Sequence, residues 1–365
     1  MKKYLNLVVS AILLVSMAFG MVGCSEKAGV VDPEMYDKAV SAIENGNYQE
    51  AYDLFIKLDP DYKDVEKYLS HLYFVPVSGS MESVTLFKKT VQSSTEITYN
   101  ENGLPITIVQ KGGSGQEQWT HRLEYDAKGR VIVDSSESGG EVYNKEYTYN
   151  ELDQLVRMSE RGAVTENTFD EKGNKVKSVT TYSSGDVLTT LYSYDEFGRL
   201  ISGNNDRESF KYSYDEAGNL VREENVYGDD ATVRIYEYDS EGRLVKEKFD
   251  GDGIAIYSRE YVYDKNGNLC KDIISYEHGI QTSKTVFNTN GRPMKRRRID
   301  SQGNGYTYRF RYDKYGCMNS CIFDFNKPLD LEYRRYKIEY KLVYIPYDEI
   351  PSEALRIINI MDSFV

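Results

Sequence analysis

The chain has 365 residues and a formal charge of -13, enough length for more than one domain and a sizeable core. That acidic balance argues against a general nucleic-acid binder, which needs clustered Lys and Arg to neutralise phosphates. Tyrosine dominates the aromatics, with 33 Tyr against 13 Phe and 1 Trp. An apolar ring with a polar tip suits half-wet β surfaces and sites for sugars or proteins.

Residues 1–24 read MKKYLNLVVSAILLVSMAFGMVGC. Lys2 and Lys3 form a positive start, an apolar run follows from Leu5 to Val22, and small residues precede Cys24. This is the pattern of a secretory signal rather than of a folded element. Met21-Val22-Gly23-Cys24 resembles a bacterial lipobox, with Met in place of the usual Leu. The resemblance implies that residues 1–23 are a signal peptide and that Cys24 carries the lipid. Residues 24–32 would then be a tether, and the protein would sit outside the cytoplasm, held on a bacterial membrane by acyl chains such as palmitate.

Residues 33–73 change period. Asp32-Pro33-Glu34 reads as a helix start, and Tyr36, Ala39, Val40 and Ile43 recur at helical spacing. Asn45-Gly46-Asn47 breaks the helix. A second apolar stripe runs through Ala51, Leu54, Phe55 and Leu58, and a third through Val65, Tyr68, Leu69 and Leu72. The stretch from Gly46 to Ala51, with Phe55 and Pro60, resembles the second half of a tetratricopeptide repeat. About one and a half such units are too few for a free-standing stacked-helix groove. The segment is expected to cover the open edge of the first β-strand.

From about residue 81 to 345 one phrase recurs, aromatic-Asp/Asn-x-x-Gly. Ten copies begin at Tyr99, Tyr125, Tyr149, Phe169, Tyr194, Tyr214, Tyr238, Tyr263, Phe287 and Tyr312, spaced 20 to 26 residues apart; Asp153 replaces the Gly in the third. The acidic or amide side chain starts a turn by accepting a bond from the backbone ahead of it, and Gly supplies the left-handed closing residue. Each copy therefore reads as a β-hairpin, with a looser turn such as Ser138-Gly139-Gly140, Ser184-Gly185-Asp186 or Asp250-Gly251-Asp252-Gly253 before the next.

The fold expected is mainly β: a long antiparallel meander forming a twisted or spiralling sheet, with the small N-terminal α-helical segment. A short helix over 346–365, with Pro351, Ala354, Leu355, Ile358 and Met361, is expected to cap the last strand.

Strict alternation places Tyr147, Tyr192, Tyr212, Tyr236 and Tyr261 on the same face as the phrase aromatics, and these five are the candidate ligand-binding residues. Counting two residues on from Leu220, Leu244 and Leu269 puts Arg222 across from Tyr212, Lys246 from Tyr236 and Lys271 from Tyr261, as cation–π pairs.

Tyr-Asp-x-x-Gly-Arg-Leu at 194–200 and 238–244, and Tyr-Asp-x-x-Gly-Asn-Leu at 214–220 and 263–269, resemble the RHS or YD repeats of bacterial surface and toxin shells. In that family, long arrays wind into a hollow β shell around a toxic C-terminal cargo. Here the copies are few, and no autoproteolytic Asp-Pro boundary follows them.

No Gly-x-Ser-x-Gly, His-Glu-x-x-His or P-loop pattern occurs. Cys270, Cys317 and Cys321 cannot all pair internally and lack zinc spacing, and His71, His121 and His278 form no ligand set with them. Asp250-Gly251-Asp252-Gly253 reads as a turn rather than a calcium loop. Alternate members of Lys295-Arg296-Arg297-Arg298 face opposite sides of a strand, which halves that basic patch.

The sequence thus points to a non-enzymatic surface lipoprotein, a binding or scaffold module for envelope glycan or a protein partner. No cofactor, no metal and no nucleic acid are expected. Repeated Tyr on a curved sheet resembles the hairpin-repeat glycan binders at the ends of clostridial toxins. The alternatives are an accessory part of an RHS-type toxin or secretion system, and an enzyme with a site built on irregular turns.

Overall fold

The computed structural model describes residues 29–365, apart from 85–87, 252–256, 278, 326–332, 348–349, 351–353 and 356–365. The expected signal segment, Cys24, Asp252-Gly253, His278, and Pro351, Ile358 and Met361 of the expected cap lie outside the described residues.

The chain divides into two units at Leu72. The first holds helices α1 (Pro33–Glu44), α2 (Tyr48–Phe55) and α3 (Val65–Ser70). Asp32 caps α1 by accepting the backbone N–H of Met35 at 3.0 Å, and Pro33 opens the helix where no intrahelical donor is needed. Gly46 turns the chain at φ 74° between the first two helices. Their apolar stripes meet in a small core of Tyr36, Ala39, Ala42, Ala51, Phe55, Leu58 and Val65. Tyr36 meets Phe55 edge-on at 6.1 Å, and Tyr68 stacks on Phe55 at 5.0 Å.

The second unit is a closed antiparallel barrel. Among the described residues its 22 strands, in chain order, are β1 (Leu72–Val84), β2 (Lys89–Tyr99), β3 (Pro105–Gly112), β4 (Glu117–Tyr125), β5 (Val131–Ser138), β6 (Glu141–Tyr149), β7 (Leu155–Glu160), β8 (Ala163–Phe169), β9 (Lys175–Thr181), β10 (Val187–Tyr194) and β11 (Leu200–Asn204). They continue as β12 (Glu208–Tyr214), β13 (Leu220–Tyr227), β14 (Asp230–Tyr238), β15 (Leu244–Gly251), β16 (Tyr257–Tyr263), β17 (Leu269–Tyr276), β18 (Gly279–Phe287), β19 (Pro293–Asp300), β20 (Gly305–Tyr312), β21 (Met318–Phe325) and β22 (Tyr333–Tyr344). Each strand pairs with the next, and β22 returns to pair with β1.

This corrects the open twisted or spiralling sheet expected from the repeats. An open meander leaves two rows of unpaired backbone groups, and closure removes both. Both edges of β1, expected to be open on one side, are occupied, by β2 and β22. At about 4.8 Å per strand, the perimeter is on the order of 100 Å, too wide for side chains from opposite walls to fill.

The repeated phrase is visible atom by atom at its turns. Asp239 accepts the backbone N–H of Glu241 and Arg243 on one carboxylate oxygen, at 2.9 and 3.0 Å, and the Arg243 Nε–H on the other at 2.8 Å. Gly242 closes the turn at φ 76°, with its N–H on the Asp239 carbonyl. Asp126 with Arg130 and Asp195 with Arg199 repeat that arrangement. Where Asn follows the Gly, its amide replaces the guanidinium, as Asn219 does on Asp215.

The phrase tyrosine then joins one copy to the one before it. The Tyr238 hydroxyl donates to the Leu220 carbonyl at 2.9 Å, Tyr263 to Leu244 at 2.8 Å, Tyr214 to Leu200 at 2.9 Å and Tyr149 to Val131 at 3.0 Å. Tyr125, Tyr194 and Tyr312 do the same to Pro105, Lys175 and Pro293. Phe169 has no hydroxyl, and Asn167, two residues earlier, donates to the equivalent Leu155 carbonyl at 2.9 Å. The phrase cation lies over the next copy's ring: Arg130 on Tyr149, Arg199 on Tyr214 and Arg243 on Tyr263, at 4.6 to 4.9 Å. The phrase tyrosines thus stitch successive copies within the sheet.

A β-bulge follows every phrase. Tyr238 faces Leu244, but Glu237 faces Lys246, so Val245 is an extra residue on the return strand. The same shift accompanies the other nine copies. The apolar column after the phrase leucine, including Ile132, Val156, Ile201 and Val221, occupies these bulges.

Candidate binding surface

The two walls of the barrel differ in crowding. On β14, Tyr236 is buried and Tyr238 half-buried, while the alternate residues Ile235 and Glu237 are exposed. On β20, Phe310 and Tyr312 are covered while Arg309 and Arg311 are open. Curvature brings side chains together on the concave side and splays them on the convex side, so the tyrosine face is the inner wall. Charged residues stand on the outer wall at Glu237, Lys246, Glu260 and Lys284. Among the described residues, no helix is long and apolar enough to cross a membrane.

The bulge changes what faces the candidate tyrosines. Tyr212 stands opposite Glu223, Tyr236 opposite Glu247, and Tyr261 opposite Asp272. Arg222, Lys246 and Lys271 stand opposite Ser213, Glu237 and Val262, on the outer wall. The cation–π pairs expected from strict alternation are therefore wrong. The extra bulge residue reverses the parity of everything after it.

Each of these three acids anchors a polar cluster, and the clusters lie side by side from β13 to β19. Glu223 accepts the Tyr236 hydroxyl at 3.0 Å and the Asn225 amide at 2.8 Å. Glu247, only 8% exposed, accepts the hydroxyls of Tyr257 and Tyr261, one on each oxygen, both at 3.1 Å. Asp272, 5% exposed, pairs with Arg259 at 3.2 Å and Arg296 at 3.6 Å. Arg259 also lies over the Tyr261 ring at 4.9 Å, and Arg234 over Phe249 at 5.3 Å. Burial pushes the Tyr236 and Tyr261 hydroxyls far above their ordinary range and that of Tyr257 up to about 12, so all three remain donors at neutral pH. The Nε–H groups of Arg259 and Arg298 are buried without an acceptor among the described residues.

The wall continues into an aromatic patch. Tyr308 lies 5.0 Å from Phe323, Tyr306 lies 5.3 Å from it, and Arg298 donates to the Tyr306 hydroxyl at 3.1 Å. Cys321 is fully buried there opposite Phe310, its thiol pushed up to about 12 by burial. Cys270, Cys317 and Cys321 are free thiols. Among the described residues, no group of three His, Cys, Asp or Glu side chains could hold a metal.

The five candidate tyrosines thus part company. Tyr212, Tyr236 and Tyr261 line the carboxylate clusters. Tyr192 faces Gly203 and sits in an aromatic group with Phe210 at 6.3 Å, with Lys175 over its ring at 4.7 Å. Tyr147 packs on the apolar cluster of Ile97, Ile108, Leu123 and Val131. Sequence reasoning missed Glu223, Glu247 and Asp272, together with Arg259 and Arg296. The signal was present: an acid stands three residues after the phrase leucine in three successive copies, at Leu220, Leu244 and Leu269.

Residues 80–246 match the Teneurin YD-shell family model. Among solved structures, the chain is similar to TcdB2-TccC3-Cdc42 at 15% identity and a TM-score of 0.39, covering 69% of this chain and 17% of that one. TcdB2-TccC3-TEV is matched at 16% identity and a TM-score of 0.32, covering 65% and 16%. A porin-like protein from Bacteroides uniformis is matched at 10% identity and a TM-score of 0.26, covering 73% and 98%. The chain thus spans about one-sixth of the length of the two TcdB2-TccC3 chains. No curated protein matches. The family match over residues 80–246 supports the reading of this strand array as YD repeats.

Proposed function

We propose that this chain is a non-enzymatic, lipid-anchored bacterial surface protein whose barrel binds an envelope glycan along its inner wall. The observation that carries the reading is the row Glu223, Glu247 and Asp272, each set beside tyrosine rings and supplied with hydroxyl or guanidinium donors. Acceptors, donors and π-faces at strand spacing match the alternating hydroxyls and C–H faces of a sugar chain. A glycan array followed by calorimetry tests it. Glu247→Gln and Tyr261→Phe are expected to weaken binding at least tenfold while the fold persists. Failure to bind any glycan class removes the sugar reading.

The membrane anchor is a separate element of the proposal, resting on Met21-Val22-Gly23-Cys24. Labelled palmitate should enter the native protein and be absent from Cys24→Ala. A second reading, an assembly component of an RHS-type toxin or secretion system, is favoured by the YD-shell match. It would be supported by recovery of a toxin-like protein partner from native envelope that competes with glycan for the inner wall.

A further inference from the structure

The basic run Lys295-Arg296-Arg297-Arg298 splits between the two walls, as strand alternation requires. Arg296 turns to Asp272 on the inner wall, leaving Lys295 and Arg297 outside. What alternation removes along the strand is restored across the sheet. Lys271 on β17 faces Lys284 on β18, and Lys284 faces Arg297 on β19. In the next row Lys295 faces Arg309 on β20, and Arg311 lies two residues beyond. Neighbouring strands are about 4.8 Å apart, so these cations share a patch on the order of 15 Å across.

Few anions answer them. Arg309 pairs with Asp324, and no ion pair or hydrogen bond holds the side chains of Lys271, Lys284, Lys295, Arg297 or Arg311 among the described residues. Like charges directly opposite each other destabilise a sheet. A chain of net charge -13 that concentrates unpaired cations here has placed a costly feature on an exposed wall. Apolar residues share the rows: Val262 faces Lys271, Val286 faces Lys295, and Ile280 lies nearby on the same wall. Val286 is 58% exposed and Ile280 51%.

We propose that this outer wall of β17–β20 docks on an anionic phospholipid surface. The cations meet the headgroup phosphates, and the exposed Val and Ile enter the interfacial layer. A soluble phosphate polymer would use the charges and leave the apolar residues idle. The acyl chains expected on Cys24 would tether the chain to a bilayer, and a basic patch would hold the barrel wall against its anionic surface. The proposal deepens the lipid-anchored reading, but the patch acts whether or not Cys24 is acylated.

The test uses the full chain carrying Cys24→Ala, with vesicles of phosphatidylcholine alone or mixed with phosphatidylglycerol. Binding to phosphatidylcholine alone reports the apolar N-terminal segment, common to every variant. Phosphatidylglycerol is expected to strengthen binding at least tenfold at low salt, and the gain should disappear in the triple variant Lys271→Glu, Lys284→Glu, Arg297→Glu. Lys284→Glu alone should raise Tm, because it relieves the charge row while weakening docking. If the triple reversal fails to fold, the corresponding Gln variant decides. Equal vesicle binding by native and substituted protein overturns the proposal. So does binding of soluble polyphosphate without any preference for anionic vesicles. Palmitate labelling of the native protein is read separately, so failure of the anchor and failure of the patch are distinguishable.

Discussion

Strands β2–β5 and strands β12–β17 are written in the same phrase and turn in the same way, yet their inner walls are built from opposite chemistry. In the first arc Ile97 faces Ile108, and the pair is buried with Leu123 and Val131 as an ordinary aliphatic cluster. In the second, the equivalent pairs are Tyr212 with Glu223, Tyr236 with Glu247 and Tyr261 with Asp272. The two columns occupy the same backbone positions relative to the phrase. The phrase therefore specifies the turn, the bulge and the tyrosine stitch. It leaves the wall free to be apolar and cohesive in one arc, and polar and receptive in another.

The comparison can be broken most forcefully in the aliphatic arc. Ile108→Ala should cost about 2–5 kcal/mol, since it opens a cavity in a closed cluster. Denaturant midpoints would measure it, and a loss under 1 kcal/mol would mean that the cluster is not a core. Next in size is Asp272→Ala in the polar arc. It leaves Arg259 and Arg296 without their shared carboxylate, at a cost of about 2–3 kcal/mol. Removing one stitch, by Tyr238→Phe, should cost about 1–2 kcal/mol because the Leu220 carbonyl loses its donor. Asn167→Ala should behave alike, although no tyrosine is touched.

A smaller effect is the acid response of a single turn. The backbone N–H of Arg243, opposed by burial and reinforced by the guanidinium, holds the Asp239 carboxyl below its usual 3.8. A depressed folded value means that this stabilisation is present above pH 3.8 and is lost as pH falls through the folded value. Asp239→Asn keeps the turn and should flatten that part of the acid-unfolding curve. Urea midpoints taken from pH 5 to pH 2 would test the sign. The smallest stability change is expected where a bonded pair of the polar arc is removed as a unit, Tyr236→Phe with Glu223→Gln. Removing the hydroxyl together with the charge it donates to leaves neither unpaired, and the Gln carbonyl oxygen still accepts from Asn225, so stability should change by less than about 1 kcal/mol. Ligand binding should be lost. If instead the double variant unfolds, the polar arc is itself a stability element.

The hairpins, their turns and the helices of the first unit were legible in sequence because each is set by near neighbours. Asp239 and Gly242 act within five residues of one another, and Asp32-Pro33 caps its own helix. The candidate site was half legible. The tyrosines on the inner wall were found, but their partners were misassigned. One bulge residue per copy, such as Val245, shifts the parity without leaving a distinctive residue type. Tyr257 and Arg259, which lie before a phrase rather than in it, carried no mark at all until Glu247 and Asp272 were brought beside them.

The sequence by itself determined a chain of glycine-closed hairpins with tyrosines on one side, because turn chemistry and strand alternation operate over a few residues. Tertiary structure alone decided that β22 would meet β1, that three acids from separate copies would line one wall, and that scattered cations would form a patch on the other. Those outcomes depend on register and curvature accumulated over hundreds of residues. A one-residue bulge repeated in every copy changes which side chains meet without altering the local signals that make each turn.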